Sequence, residues 1–293
     1  MQPQQPSRTA WGAARHRAVH QLIEGGRIFS DPFAVRILGG DIDAAADDPL
    51  IRESDSSPGT RVLRFFIAAR SAFAEAKLAE AVAGRGVSQV VVLGAGFDTF
   101  ALRNPFGESL RVFEVDHPAT QAWKRERLAA MGIALPEWLT FAGVDFERES
   151  FSERLAETGF DPARRSFVLW LGVSMYLTQA AIDATLAAVA AWPGGGEIVF
   201  DYAEPPAADM SPQRRAAREE LAARVAAVGE PLIGALAEAA LHARLGELGY
   251  VEIEDLAGLD LAERFLGPEI AAAARSAGAG RGGGHVLFAR TKL

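Results

Sequence analysis

The chain has 293 residues, 49% of them hydrophobic and none of them cysteine, and its 30 basic against 38 acidic residues leave a net charge of -8. This length and apolar content support one large α/β domain with appended helices, and the acidic balance argues against nucleic acid or an anionic membrane as a partner. Without cysteine there is no disulfide, thiolate metal site or cysteine nucleophile; with no basic-then-apolar leader and no run of about 18 apolar residues, a cytoplasmic protein is expected.

In chain order, residues 1–7 are expected to be disordered, and Arg8 to Gly25 has helical character closed by Gly25-Gly26. His16 and His20 lie one turn apart on that helix, a spacing open to a structural or solvated pair, a substrate-facing pair or a metal site. No acid accompanies them in the motif, and no metal is expected. Ser30-Asp31-Pro32-Phe33 reads as the start of a second helix, with Asp31 as N-cap and Pro32 in its first position. Gly39 to Gly59 is acidic and rich in Ser and Pro, which predicts a surface loop. Arg61 to Val82 is an amphipathic helix with Phe66, Phe73, Leu78 and Val82 near one stripe, ending at Gly84 and Gly86.

The most informative stretch follows. Val87 to Leu93 is an apolar run suited to a strand buried on both faces, and Gly94-Ala95-Gly96 after it lets backbone approach a ligand at the strand's carboxyl end. Val112-Phe113-Glu114-Val115-Asp116 reads as a second strand whose acids, Glu114 and Asp116, fall 20 residues after Gly94 and Gly96, where a doubly wound sheet presents a carboxylate to ribose hydroxyls. A dinucleotide turn would place a third Gly or Ala where Thr99 stands, and Asp98 would repel the pyrophosphate. A cofactor that lacks phosphates and carries an ammonium and a sulfonium, such as S-adenosyl-L-methionine, tolerates that carboxylate.

Beyond it, Ala119 to Met131 reads as a helix, Leu139 to Phe146 as the third strand and its exit, and Ser166 to Thr178 as the fourth strand and its turn. Glu197 to Tyr202 is the fifth strand after the Pro193-Gly194-Gly195-Gly196 turn. A helix from Ser211-Pro212, with Leu221, Val225 and Val228 on one face, carries Arg214, Arg215 and Arg218, either a solvated basic face or a meeting point for an acidic substrate. Helix Ala237 to Leu248, strand Val251 to Glu254, a flexible Gly278 to Gly284 loop and strand His285 to Arg290 close the chain as an antiparallel edge.

Leu93-Gly94-Ala95-Gly96-Phe97-Asp98-Thr99, then Phe113-Glu114-Val115-Asp116-His117-Pro118, then Val144-Asp145-Phe146, resemble the leucine carboxyl methyltransferase family over about Ser30 to Tyr202. The resemblance implies a Rossmann-like class I methyltransferase fold. Its sheet is seven-stranded and mostly parallel with an antiparallel terminal strand, helices lie on both faces, and an N-terminal helical lid precedes the core. It implies residues 1–86 as the lid and cofactor-carboxylate helix and 87–293 as the core, with a helical insertion at about 203–235, all in one structural domain. S-adenosyl-L-methionine is the implied cofactor. Arg70, in Ala68-Ala69-Arg70-Ser71-Ala72-Phe73, matches the arginine that pairs with the methionyl carboxylate, for which a guanidinium fork is suited.

By the same resemblance Gly94, Ala95, Gly96, Asp98, Glu114, Asp116 and His117 line the cofactor turn. Asp145 accepts from the adenine amine, Phe146 packs the ring, and Leu171 and Gly172 lie beside the methionyl end. Tyr176 would orient the acceptor, and His16, His20, Met175 and Tyr202 would face it. The sequence departs from the family at Leu171, where Glu opens Glu-Gly-x-x-x-Tyr-Leu, and at Phe100, where the bacterial branch commonly has Arg. The implied activity is O-methyl transfer to a small-molecule carboxylate, or a hydroxyl, of secondary metabolism. A carboxylate is already ionised and needs no strong base; a hydroxyl would look to His16, His20, His117 or Tyr176. The alternatives are a nicotinamide-dependent oxidoreductase and a catalytically impaired cofactor-binding protein of the same fold.

Overall fold

A computed structural model of the chain describes residues 7–39, 58–146, 149–206, 210, 212–226, 231–276 and 283–292. The first six residues, almost all of the acidic stretch expected as a loop, and residues 277–282 of the glycine-rich run lie outside the described residues, as do Val228 and the side chains of Arg214, Leu221 and Val225. Two compact units divide the chain, Gln2–Phe167 and Val168–Leu293, with the boundary inside a strand, Ser166–Trp170.

In the first unit, helix α1 (Arg8–Glu24) starts where Ser7 Oγ accepts from the Ala10 N–H at 3.1 Å and stops at Gly25, whose φ of 63° is the left-handed conformation that glycine tolerates. Then come α2 (Phe33–Ile37) and α3 (Pro58–Arg85), which runs through Gly84 rather than ending there. The α/β part follows as β1 (Gln89–Leu93), α4 (Phe100–Arg103), β2 (Arg111–Asp116), α5 (Pro118–Ala130), β3 (Leu139–Gly143) and α6 (Phe151–Glu157), up to β4 (Ser166–Trp170). All five residues of β1 are buried, as a strand covered on both faces requires. β1 pairs parallel with β2, aligning Val92 with Glu114, and β2 pairs parallel with β3, aligning Asp116 with Gly143. Phe97, buried after the glycine turn, joins Ala14 of α1, Ile37 of α2 and Leu128 of α5 in one cluster and lies 4.5 Å from the Trp123 ring. A ring so buried contributes about 1.5–3 kcal/mol.

The second unit holds α7 (Gln179–Ala190), β5 (Gly196–Ala203), α8 (Pro212–Ala226), α9 (Glu238–Glu247), β6 (Tyr250–Ala257), α10 (Gly258–Leu266), α11 (Pro268–Ser276) and β7 (Gly284–Thr291). β7 runs antiparallel to both β5 and β6, opposing Val286 to Asp201 and to Leu256. Strand order in the seven-stranded sheet is β3-β2-β1-β4-β5-β7-β6. Helices α10 and α11 have no counterpart in the sequence reading. The first is opened by the Asp260 carboxylate, which accepts from the Ala257 N–H at 3.0 Å.

The expected division between the N-terminal helices and the core, at 86/87, falls inside the first unit. Arg17 of α1 donates to the Phe97 carbonyl at 2.6 Å, and Glu75 of α3 accepts from Arg103 at 2.6 and 3.0 Å, so the N-terminal helices belong to the same unit as β1–β3. No described helix is long and apolar enough to cross a membrane.

Candidate functional site

At the carboxyl end of β1 the chain turns through Gly94, φ 68°, and Gly96, φ 49°, both left-handed. The Gly94 and Ala95 N–H groups donate to the Val115 carbonyl of β2 at 2.8 and 3.1 Å, which fixes the turn against that strand. A Cβ on Gly96 would stand 2.8 Å from the Ala10 Cβ of α1, so glycine here also permits close approach of the N-terminal helix. Asp116 ends β2, and its two carboxylate oxygens each take one backbone N–H, from Gly96 at 2.5 Å and from His117 at 2.6 Å. Burial pushes this carboxyl up while those two N–H groups pull it down. The Val144 N–H donates to the Asp116 carbonyl at 2.9 Å, and this places the exit of β3, with half-buried Asp145 and 44% exposed Phe146, beside Asp116.

Glu114 and Asp116 point the same way, two residues apart on β2, but Glu114 lies deeper. It is 1% exposed and its carboxylate bonds Lys124 of α5 at 2.6 Å, while the same ammonium donates to the Asp98 carbonyl at 2.5 Å. The expectation that Glu114 meets a ribose is therefore corrected: it anchors Lys124 beneath the turn. Asp98 accepts from the Phe100 N–H at 2.7 Å, closing its own turn into α4. His117 caps α5, its Nδ1 accepting from the Ala119 N–H at 3.2 Å. Phe100, where the bacterial branch of the family commonly has Arg, is a core residue, 2% exposed.

A second set of buried charges fastens this turn from the other side. Asp31 is not the side-chain cap of α2. Its fully buried carboxylate accepts from Arg17 Nε at 2.9 Å and Thr99 Oγ1 at 2.7 Å, with Arg103 Nε at 3.5 Å. Burial alone would raise its carboxyl, but Arg17, Arg103 and the Thr99 hydroxyl outweigh it and hold the group below the usual carboxylate range.

The two histidines of α1 separate. His20, 1% exposed, bonds Glu24 through Nδ1 at 2.7 Å and accepts at Nε2 from the Ile28 and Phe29 N–H groups, both at 3.3 Å, so its ring braces the helix terminus. That removes it from the substrate-facing set, because neither nitrogen is left to point outward. His16 is half-buried, and burial together with Arg64, Arg15 and Arg70 pushes its imidazole down to about 4. Arg70 itself is 7% exposed on α3, its guanidinium 5.9 Å from the Phe66 ring centre.

In the second unit, β4 exits through half-buried Leu171 to Gly172, φ 76°, whose N–H donates to Asp201 Oδ1 at 2.5 Å. Ser174 Oγ donates to the Asp201 carbonyl at 2.5 Å, so one buried residue of β5 holds the loop twice. A turn of 3-10 helix, Ser174–Tyr176, follows, with Met175 and Tyr176 both half-buried. The Met175 carbonyl accepts from the Ile233 and Gly234 N–H groups at 3.0 and 2.9 Å, and a Cβ on Gly234 would come within 2.5 Å of the Ser174 carbonyl oxygen. Tyr202, expected to face an acceptor, is 1% exposed, and its hydroxyl donates to Asp255 at 2.7 Å beside His285 Nδ1 at 3.2 Å. It belongs to the interior of the sheet.

Residues 10–190 match the family model described as leucine carboxyl methyltransferase. The chain belongs to the leucine carboxyl methyltransferase family. Within it, the chain is 33% identical over 231 residues to a provisionally named S-adenosyl-L-methionine-dependent methyltransferase of Mycolicibacterium paratuberculosis, covering 74% of this chain and 70% of that protein. It is 34% identical over 183 residues to the similarly named YktD of Bacillus subtilis, covering 62% of this chain and 60% of YktD, so the match spans less than two thirds of that relative. Two solved structures share the fold. One is a DUF574 family protein of Streptomyces avermitilis, with TM-score 0.55 and 17% identity over 94% of this chain and 97% of that one. The other, provisionally described as a methyltransferase of Thermobifida fusca, has TM-score 0.52 and 18% identity over 95% and 94%. The seven-stranded, mostly parallel sheet with antiparallel β7 is the Rossmann-like architecture of this family.

For a leucine carboxyl methyltransferase family member, the first unit brings Gly94, Ala95, Gly96, Asp98, Asp116, His117, Asp145 and Phe146 to one end of β1–β3. Sequence reasoning missed Lys124, Arg17, Thr99 and, in the second unit, Asp201. For Asp31 the only sequence signal was its place before Pro32 at a helix start.

Proposed function

We propose that this chain is an S-adenosyl-L-methionine-dependent O-methyltransferase whose acceptor is a carboxylate on a small molecule. The observation that carries this reading is Asp116. Each of its carboxylate oxygens accepts one backbone N–H, which orients the group and leaves lone pairs for the two hydroxyls of a ribose. The residues fit the rest of such a cofactor. Exposed Phe146 offers a ring face to adenine beside Asp145, and Arg70 offers a guanidinium to a carboxylate. A nicotinamide dinucleotide fits less well. Asp98 already satisfies the Phe100 N–H, and the buried Thr99 hydroxyl is engaged by Asp31, so the turn presents a carboxylate where a pyrophosphate needs donors.

When bound, the cofactor supplies an electrophilic methyl group on a sulfonium. What the protein supplies is alignment, which can be worth roughly 7–11 kcal/mol, and exclusion of water. His16, pushed down to about 4, is a weak base at neutral pH, and this suits an acceptor that arrives already ionised. Tyr176 and Met175, on the turn clamped by Asp201 and by the Ile233-Gly234 backbone, are assigned to orienting the acceptor. The test is transfer of labelled methyl from S-adenosyl-L-methionine to a panel of carboxylic acids, phenols and amines. Base-labile methyl ester formed from the acids alone supports the reading. Label on amines or phenols only, or none on any acceptor, overturns it.

A further inference from the structure

Away from the cofactor turn, the second unit gathers several acids and imidazoles, half-buried around one buried histidine. Glu204 follows β5, Glu238 and His242 lie one turn apart on α9, Asp255 is on β6 and His285 begins β7. His285 is fully buried. Its Nδ1 lies 3.0 Å from Asp255 Oδ1, and Tyr202 donates to the other oxygen of that carboxylate, so Nδ1 carries the proton and gives it to Asp255. Nε2 is then the lone-pair nitrogen. It has no hydrogen-bond partner and faces Glu204 Oε2 at 3.4 Å. Two lone pairs so placed, one on a buried imidazole and one on a half-buried carboxylate, repel each other unless a proton or another cation lies between them.

We infer that Glu204, Glu238 and His285 form a binding site for a divalent transition-metal ion of the zinc class, with Asp255 as the outer carboxylate that orients the imidazole. One ligand atom from each of the three lies within 4.8 Å of the other two. Tetrahedral zinc with bonds of about 2.0–2.1 Å holds its donors roughly 3.3 Å apart, close to the distance between His285 and Glu204. A metal-bound histidine regularly donates its second N–H to a carboxylate, which is the place of Asp255. One nitrogen and two carboxylate oxygens favour zinc, cobalt or manganese over magnesium or calcium. Arg218 is near, but it donates to the Glu204 carbonyl at 2.7 Å, leaving the carboxylate for the ion. The competing occupant of the gap is a second proton on His285, which burial opposes but Asp255, Glu204 and Glu238 together favour more strongly, so that in the absence of an ion the imidazole is pushed up. An N–H there should have formed a hydrogen bond to Glu204, and the geometry lacks one. A bound ion would join the ends of β5 and β7 to the start of α9.

The site is tested on the full chain, freed of metal with a chelator and titrated with Co²⁺, following its visible absorption, and then with Zn²⁺ in competition. The expected result is one equivalent of Co²⁺ displaced by Zn²⁺ and not by Mg²⁺. Affinity should fall by about tenfold or more in Glu204→Gln and in Glu238→Gln but not in His242→Gln. Zn²⁺ should raise the melting temperature of the wild type and not of Glu204→Gln. Absence of saturable Co²⁺ binding by the wild type overturns the proposal. So does binding that both glutamine variants retain, or binding lost in His242→Gln but kept in Glu204→Gln. All of these readouts are independent of methyl transfer, so they separate this site from the reading of the cofactor turn.

Discussion

Replacing Asp31 asks whether the N-terminal helices are fastened to the glycine turn by buried charge. Its carboxylate, fully buried, is met by Arg17, Thr99 and Arg103 at 2.9, 2.7 and 3.5 Å. In Asp31→Ala the Arg17 guanidinium keeps the Phe97 carbonyl and Arg103 keeps Glu75, but two mostly buried cations lose their shared anion. Breaking a buried pair from one side costs about 3–5 kcal/mol. Asp31→Asn keeps the volume and an acceptor for Thr99, so about 2–3 kcal/mol is expected from the lost charge. With urea slopes of roughly 2–3 kcal/mol/M, Asn should lower the unfolding midpoint by about 1 M and Ala by more. The folded-state group lies below its ordinary value, so its contribution is fully present above the unfolded carboxyl of about 3.9 and is lost as pH falls through the folded one. Urea unfolding of wild type, Asn and Ala from pH 7 down to 3 tests both parts. An Asn variant within about 0.5 kcal/mol of wild type at pH 7, or one with an unchanged acid limb, refutes the reasoning.

Gly96→Ala should destabilise by about 1–2 kcal/mol or more, because its φ of 49° is costly for alanine and the new methyl meets Ala10 at 2.8 Å; chemical denaturation measures it. The same change at Gly84, inside α3 with open space around it, should stabilise slightly. His16 should titrate near 4 by NMR rather than at its ordinary 6.5. The folded chain then binds fewer protons than the unfolded one between those values, and stability should rise with pH across that window, a slope His16→Gln removes. A His16 midpoint at or above 6.5 would contradict the burial and the arginines placed around it.

What the sequence made legible was local. The apolar run of β1, the glycines that follow it and the acid ending β2 all lie within one stretch, and each has a backbone reason that needs no knowledge of distant residues. Glu114 shows the limit. Strand alternation puts it on the same side as Asp116, but only the packing of α5 decides that Lys124 reaches it. Asp31 was legible as special and misjudged as a cap, because its partners Thr99 and Arg103 are about seventy residues away. His20 and Tyr202 looked ready for a substrate for the same reason: a polar side chain's partners, Phe29 N–H in one case and Asp255 in the other, are set by the fold. α10 and α11 went unseen because each is only nine residues long, below the roughly 12–15 that hold a helix without tertiary packing, and α10 starts directly where β6 ends.

The most direct measurement is calorimetric titration of the full chain with S-adenosylhomocysteine, wild type against Asp116→Ala. Saturable binding by the wild type, weakened at least about tenfold by the substitution while the melting temperature shows a folded protein, is the predicted result. Equal binding by both proteins, or wild-type binding of NAD in its place, would contradict the assignment of this turn to S-adenosyl-L-methionine.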